Sequence, residues 1–496
     1  MEWEADPMKI STLRARAVIV AILVLVALIS YELSGLVQKA EAIPAFARKY
    51  DFKCNVCHVP GFPKLNDFGN LFRDRGYQLG SEADSPVYEG IGMGFWPVSI
   101  RATVGYQAAQ VRTEGSGVTT GGFGFTGLDL LSFGTLHRDI AFGVVYTPGL
   151  GSAGFGTGAS DGDLESAFVR LMRLERYFGV KSDPGNYLLN LRVGKFELDL
   201  PFSEKRSPTL NTPFVMYHYT PGVPYTATIG GTSTSSYLNP NSFLLGDNQP
   251  GGELSGIMKT PSTEGYLRYS LTALATNSFS GPLGGCPPDT PCGTGGRNVN
   301  FYGHVTQSFG GYGIVTGHRV GIFGAYGQAP TMVNATCPTC QGVAGSGKPF
   351  TRIGVDVSLT FNGEWNVFGA IMHGHDSAQL FASQGIPTPQ NASWNGAFVE
   401  LDYAPALFFD MPDWFFAYRY DVIRNDRHGD GNTDVFKGNY NDVDSHTVLA
   451  RYFIHHSTRT DLALHAEYNS YRTQAVGPTG GDLRGQTMLV GLDFAY

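Results

Sequence analysis

Thr487-Met488-Leu489-Val490-Gly491-Leu492-Asp493-Phe494-Ala495-Tyr496 decides the fold. Met488, Val490, Leu492, Phe494 and Tyr496 are all apolar or aromatic and fall on alternate positions, with Thr487, Gly491, Asp493 and Ala495 on the others. Side chains of a strand point alternately to opposite faces, so this segment is a strand with one greasy face and one mostly polar face. The same alternation recurs upstream. Trp96, Val98, Ile100, Ala102, Val104 and Tyr106 oppose Pro97, Ser99, Arg101, Thr103, Gly105 and Gln107. Tyr187, Leu189, Leu191 and Val193 oppose Asn190, Arg192 and Gly194. Trp414, Phe416, Tyr418 and Tyr420 oppose Ala417, Arg419 and Asp421, and Leu462, Leu464, Ala466 and Tyr468 oppose Ala463, His465, Glu467 and Asn469.

Aromatic residues crowd the apolar face and charges sit on the other. A soluble sandwich also alternates, but it does not place so many Tyr and Trp on the apolar face near strand ends. Strands with lipid outside and a wet or plugged lumen inside account for the pattern. The final strand, ending on an aromatic residue, resembles the C-terminal signal of bacterial outer-membrane barrels. Composition agrees: hydrophobic residues make up 42% of the 496, yet no long apolar run follows the N-terminus, which does not suit a helical membrane protein. A net charge of −8 without a basic patch gives no sign of a nucleic-acid partner. The fold class expected is all-β: a transmembrane antiparallel barrel of about sixteen strands, an even number as in single-chain bacterial barrels. The strands are expected near 95–112, 123–136, 137–147, 162–177, 186–199, 252–260, 263–277, 297–309, 312–327, 350–361, 363–374, 392–404, 412–424, 441–455, 459–472 and 485–496. Connections alternate short and long, and the long ones (278–296, 328–349, 425–440) are rich in Gly, Pro, Asn and Thr, as extracellular loops are.

The first 42 residues read as an export signal: Lys9, Arg14 and Arg16, then an apolar core from Ala17 to Ile29, then Ala40-Glu41-Ala42 as the cleavage site. The acidic Glu2, Glu4 and Asp6 are odd in such a segment, and Met8 as initiator removes the oddity. An uncleaved anchor helix is the competing reading, although the apolar core is short for one. Export leads to an oxidising compartment and an outer-membrane location.

Residues 43–94 differ from the rest, and the barrel is assigned to 95–496. Cys54-Asn55-Val56-Cys57-His58 is a C-x-x-C-H motif. Two thiols at this spacing, Cys54 and Cys57, can each add to a vinyl group of one porphyrin, and His58 then falls under the ring as proximal ligand of the iron. One covalent haem c is therefore the expected cofactor; a redox dithiol or half of a zinc site is the competing reading. Pro63 to Gly76 reads as a helix with Leu65, Phe68 and Phe72 on one face, fit to cover a haem edge or to pack on the barrel wall. Fifty residues bury too little to stand alone, so this segment needs the haem and the barrel. Three side chains are weak candidates for the distal ligand: Met93 in a Gly-rich linker, and Met216 and His218 in the long connection 201–251, should that connection fold into the lumen. A water-bound or open sixth position is the alternative.

The other cysteines, Cys286, Cys292, Cys337 and Cys340, fall in expected outer loops, where two local disulfides are the plain reading and a four-thiolate metal site the other. The loop from Asp426 to Asp434 is rich in oxygen ligands but lacks calcium-loop spacing. Inward-facing Arg192, Arg419, Asp421, His465 and Glu467 suit a lumen wall. No nucleophile–base pattern, phosphate loop or Fe–S motif is present in the sequence, so no catalytic residue is named.

Ala45-Phe46-Ala47-Arg48-Lys49-Tyr50, Cys54-x-x-Cys57-His58, Phe62-Pro63-Lys64-Leu65-Asn66 and Phe68-Gly69 together resemble the start of the fused monohaem cytochrome c–porins of bacterial outer membranes, best known as Fe(II) oxidases. The resemblance covers residues 43–80; beyond it only the architecture matches. It implies a haem segment plugging or docking on a barrel of sixteen or so strands. It also implies electron entry from an extracellular reductant such as Fe(II) and exit to a periplasmic c-type cytochrome or other soluble carrier, an Fe(II):cytochrome c oxidoreductase. A diffusion porin whose haem plug is structural or sensory is the alternative, and a haem peroxidase with an open iron site a third.

Overall fold

The computed structural model describes residues 46, 50, 52, 56–58, 63–79, 98–113, 116–137, 139–148, 163–183, 185–222, 241, 243–275, 299–310, 318–328, 349–382, 388–405, 414–428, 441–456, 460–475 and 483–495. The signal segment, Cys54, Met93, the four loop cysteines, Tyr496 and all but the first three residues of the 426–434 loop lie outside them.

Sixteen strands form the wall: β1 (Val98–Thr113), β2 (Ser116–His137), β3 (Ile140–Thr147), β4 (Asp163–Leu171), β5 (Tyr187–Phe196), β6 (Gln249–Thr260), β7 (Gly265–Ala275), β8 (Val299–Phe309), β9 (His318–Gln328), β10 (Pro349–Phe361), β11 (Trp365–Asp376), β12 (Ala392–Tyr403), β13 (Trp414–Arg427), β14 (Asn441–His456), β15 (Asp461–Ala475) and β16 (Leu483–Ala495). Each pairs antiparallel with its neighbours in sequence, and β1 pairs with β16, from Arg101 opposite Ala495 to Arg112 opposite Arg484. The barrel is closed, so no edge is left with unpaired backbone groups.

Val490, Leu492, Trp414, Phe416 and Tyr418 are exposed on the outer face, whereas Arg192, Arg419, Asp421, His465 and Glu467 are buried in the interior. A closed sheet turned greasy side out is stable in lipid and not in water, which makes this a membrane-spanning barrel of the outer-membrane type. The expected fold class is what the structure shows.

Among the described residues, two strand ends depart by more than a few residues from expectation. β2 begins at Ser116, ahead of 123, because its Gly-rich start pairs fully with the end of β1. β4 stops at Leu171, ahead of 177, because Arg173 and Gly179 adopt left-handed backbone on either side of a 3₁₀ turn, Leu174–Phe178. Tyr187, expected on the outer face, is buried inside: the β5–β6 register shifts between Tyr187 and Asn190, which moves the residue to the other side of the sheet.

Much of the interior is filled by described residues. The connection from β5 to β6 folds into the lumen, and Leu198, Leu200, Phe202, Phe214 and Met216 pack there against Phe323, Phe368, Trp394 and Phe398 from the wall. Connections at the mouth where β1 starts and β16 ends are mostly short, such as Asn362–Glu364 between β10 and β11. The N-terminal segment occupies that mouth.

Candidate functional site

Helix α1 (Asp67–Asp74) is the centre of the plug. It starts later than the expected Pro63, because Asn66 caps it: the Asn66 side chain accepts from Gly69 N at 2.8 Å. Gly76 and Tyr77 end it in left-handed backbone. Leu65 lies ahead of the helix and pairs with His58 in a single β-bridge, so the C-x-x-C-H turn is folded back onto the helix start. Asn66 secures that fold: its backbone N donates to Cys57 O at 3.0 Å, and Nδ2 donates to Val56 O at 3.1 Å. Gly69 makes the approach possible, since a Cβ there would lie 2.0 Å from Cys57 O.

His58 Nδ1 lies 3.0 Å from Pro63 O and 3.3 Å from Lys64 O. Carbonyl oxygens only accept, so Nδ1 carries the proton and the ring lone pair is on Nε2. A histidine that ligates a metal is held this way, with its second nitrogen donating to a carbonyl. Burial pushes the imidazole pKa down to about 4, against the two carbonyl hydrogen bonds, so the ring is neutral, the form that ligates. Burial pushes the Cys57 thiol up to about 12. A reactive redox thiol is shifted the other way. Phe46, Tyr50, Phe52, Phe68, Phe72 and Tyr77 form an aromatic cluster beside the turn, with Phe46 5.0 Å from Phe72 and 5.1 Å from Tyr77 between ring centres. A neutral imidazole fixed through Nδ1, a half-buried protonated cysteine and an aromatic cluster fit a c-type haem. Cys57 and His58 would hold it, and Cys54, outside the described residues, would supply the second thioether.

The plug is locked to the wall by charge. Lys64 Nζ donates to Asn366 Oδ1 at 2.6 Å and Asp402 Oδ2 at 2.7 Å. Arg73 and Asp74 enter a buried network with Arg170, Asp199 and Arg268; Arg268 donates to Asp74 and to Asp199. Against the burial that raises it, the guanidiniums of Arg268, Arg73 and Arg170 hold the Asp74 carboxyl well below the usual range. Thr135 Oγ1 donates to Gly76 O at 2.9 Å, Arg75 Nη2 donates to Gly185 O at 2.9 Å, and Leu71 packs against Ala141, Met172, Tyr187 and Ile257. Sequence reasoning missed these locks: Arg73-Asp74-Arg75 was visible, but Arg268 is 194 residues from Asp74.

The residues read as lumen wall hold the inward-folded connection. Glu467 accepts from Leu210 N at 2.7 Å and Thr212 Oγ1 at 2.6 Å. Arg419 donates to Thr212 O and Pro213 O, and Asp421 accepts from Val215 N. Helix α2 (Val215–His218) carries two of the distal-ligand candidates. Met216 is packed in the apolar cluster against Gly396, and His218 Nε2 lies 2.6 Å from Glu204 Oε2. Both have structural partners; the third candidate, Met93, is outside the described residues. Among those residues no group of three or more His, Cys, Asp or Glu is placed to hold a metal ion.

The fold and site together define a plugged transmembrane barrel of porin architecture. No family model and no curated protein matches the chain. Solved structures similar to it include the anion-selective porin from Comamonas acidovorans, at 13% identity and TM-score 0.48, covering 80% of this chain and 99% of that one. Pseudomonas putida OprB is similar at 11% identity and TM-score 0.46, covering 82% and 96%, and Salmonella typhi OmpF at 11% and 0.42, covering 80% and 97%.

Proposed function

We propose that this chain is an outer-membrane electron conduit. Cys54 and Cys57 would tether one haem c and His58 would ligate its iron; the group would supply a one-electron couple between an extracellular reductant, Fe(II) being the first donor to test, and a periplasmic c-type cytochrome or similar soluble carrier. On this reading the protein is an Fe(II):cytochrome c oxidoreductase. The chain's own residues do the rest: Pro63 O orients the imidazole, and the Lys64 and Asp74 locks hold the assembly in the mouth. The observation that carries the proposal is the Nδ1–carbonyl hydrogen bond of His58 inside a plug docked in the barrel.

A second reading, a diffusion porin with a structural or sensory haem plug, is favoured by the barrel architecture taken alone and by a solvent-open chamber beside the plug. One preparation separates the two. The conduit predicts a reversible c-type spectrum reduced by Fe(II) and low conductance in planar bilayers; large steady conductance with a haem that no external donor reduces overturns it.

A further inference from the structure

Between plug, inward-folded connection and wall lies a chamber that opens to solvent. Lys64 and Arg73 from the plug, Arg206 from the connection, and Arg268 and Arg319 from β7 and β9 line it. Each cation has a carboxylate partner, and in every pair the cation is the more exposed member. The Arg206 side chain is 32% exposed against 9% for Glu197, and that of Arg319 18% against 0% for Asp356. Lys64 with Asp402, Arg73 with Asp74 and Arg268 with Asp199 follow the same order. Four of these carboxylates, Asp402, Asp74, Glu197 and Asp356, thus lie behind the lining, and only Asp199 shares the face with the positive ends. Two acidic side chains line the chamber, Asp67 and Asp199; Asp199 accepts from Arg268, and burial pushes Asp67 up to about 6 despite Arg319. Arg319 Nε makes no hydrogen bond.

We propose that this chamber binds a small multivalent anion of the di- or tricarboxylate class, and that the solute meeting the plug is anionic. Guanidiniums match carboxylates in shape and charge, and a pocket walled by protein focuses the field of its lining. A bare divalent cation would meet five positive ends against two carboxylates, Asp67 and Asp199. Anion binding stands independently of the haem; that an electron donor arrives as a carboxylate chelate rests on the conduit reading.

Titration calorimetry of the full-length, haem-loaded protein in detergent, with citrate as probe and magnesium chloride as the opposite charge, tests this. Expected are saturable citrate binding that weakens with added salt and no saturable response to magnesium. Binding should fall about tenfold in Arg206→Gln and in Arg319→Gln, each losing one charge-assisted hydrogen bond. Arg206→Gln alters the most exposed of the five and retains the barrel, checked by heat-modifiable gel mobility, should Arg319→Gln misfold. Absent citrate binding, binding unchanged in Arg206→Gln, or binding of magnesium instead would overturn the proposal. Citrate binding combined with a haem that neither aqueous Fe(II) nor Fe(II)–citrate reduces would leave the anion site standing and remove the conduit.

Discussion

Gly69 shows how tightly the C-x-x-C-H turn is set on its helix. Its missing Cβ would fall on the backbone oxygen of Cys57, an atom with no side-chain freedom to yield. Gly69→Ala should therefore part the turn from α1 and cost about 1–3 kcal/mol of local stability. The check is haem per polypeptide in exported protein, expected to fall several-fold while the barrel still shows heat-modifiable mobility. The His58–Pro63 hydrogen bond, by contrast, was not legible in the sequence: Cys57-His58 named the ligand, but which nitrogen would carry the proton depends on a fold-back that only Asn66 and Gly69 make possible.

The His218–Glu204 pair carries a pH dependence at the same scale. Against burial, Glu204 raises the His218 pKa above its ordinary 6.5, so the imidazolium's contribution is complete below 6.5 and lost as pH rises through the raised value. Glu204 is lowered from 4.5, against burial, chiefly by His218, so its contribution is present above 4.5 and lost as pH falls through the lowered value. Asp247 and Lys205 also face His218 and shift the window in opposite senses. Protection of the amides in segment 204–218, measured as exchange relative to the intrinsic base-catalysed rate, should be greatest between about pH 5 and 6.5 and fall on the alkaline side. His218→Phe should remove the alkaline response.

Among the elements, the plug depends on partners far away in sequence. Arg268 joins Asp74 of the plug to Asp199 of the inward-folded connection, so Arg268→Met leaves two buried carboxylates short of a cation. Breaking one side of a buried pair costs about 3–5 kcal/mol. Limited proteolysis should then cut residues 43–94 while the barrel stays intact, and bilayer conductance should rise. The strands themselves were legible because lipid and lumen impose period two, as at Val490, Leu492 and Phe494. Tyr187 was misplaced because one shifted register reverses the face, and the end of β4 was overrun to 177 because Arg173 and Gly179 turn the chain. The locks of the plug involve single charges on separate strands, and no local pattern announces them.

For the whole molecule, the outer face distinguishes a membrane barrel from a soluble one. Ile371 is 61% exposed on β11. Ile371→Arg should cost about 2–4 kcal/mol of folding into bilayers if it lies near the membrane midplane, and next to nothing in a water-soluble protein. Urea-induced unfolding from lipid vesicles measures the difference.

The account rests on a haem fixed in the mouth of this barrel, and intact-mass measurement of the chain recovered from outer membranes tests it most directly. The prediction is one chain bearing the mass of a single haem, lost in Cys57→Ala; an unmodified wild-type chain would contradict it.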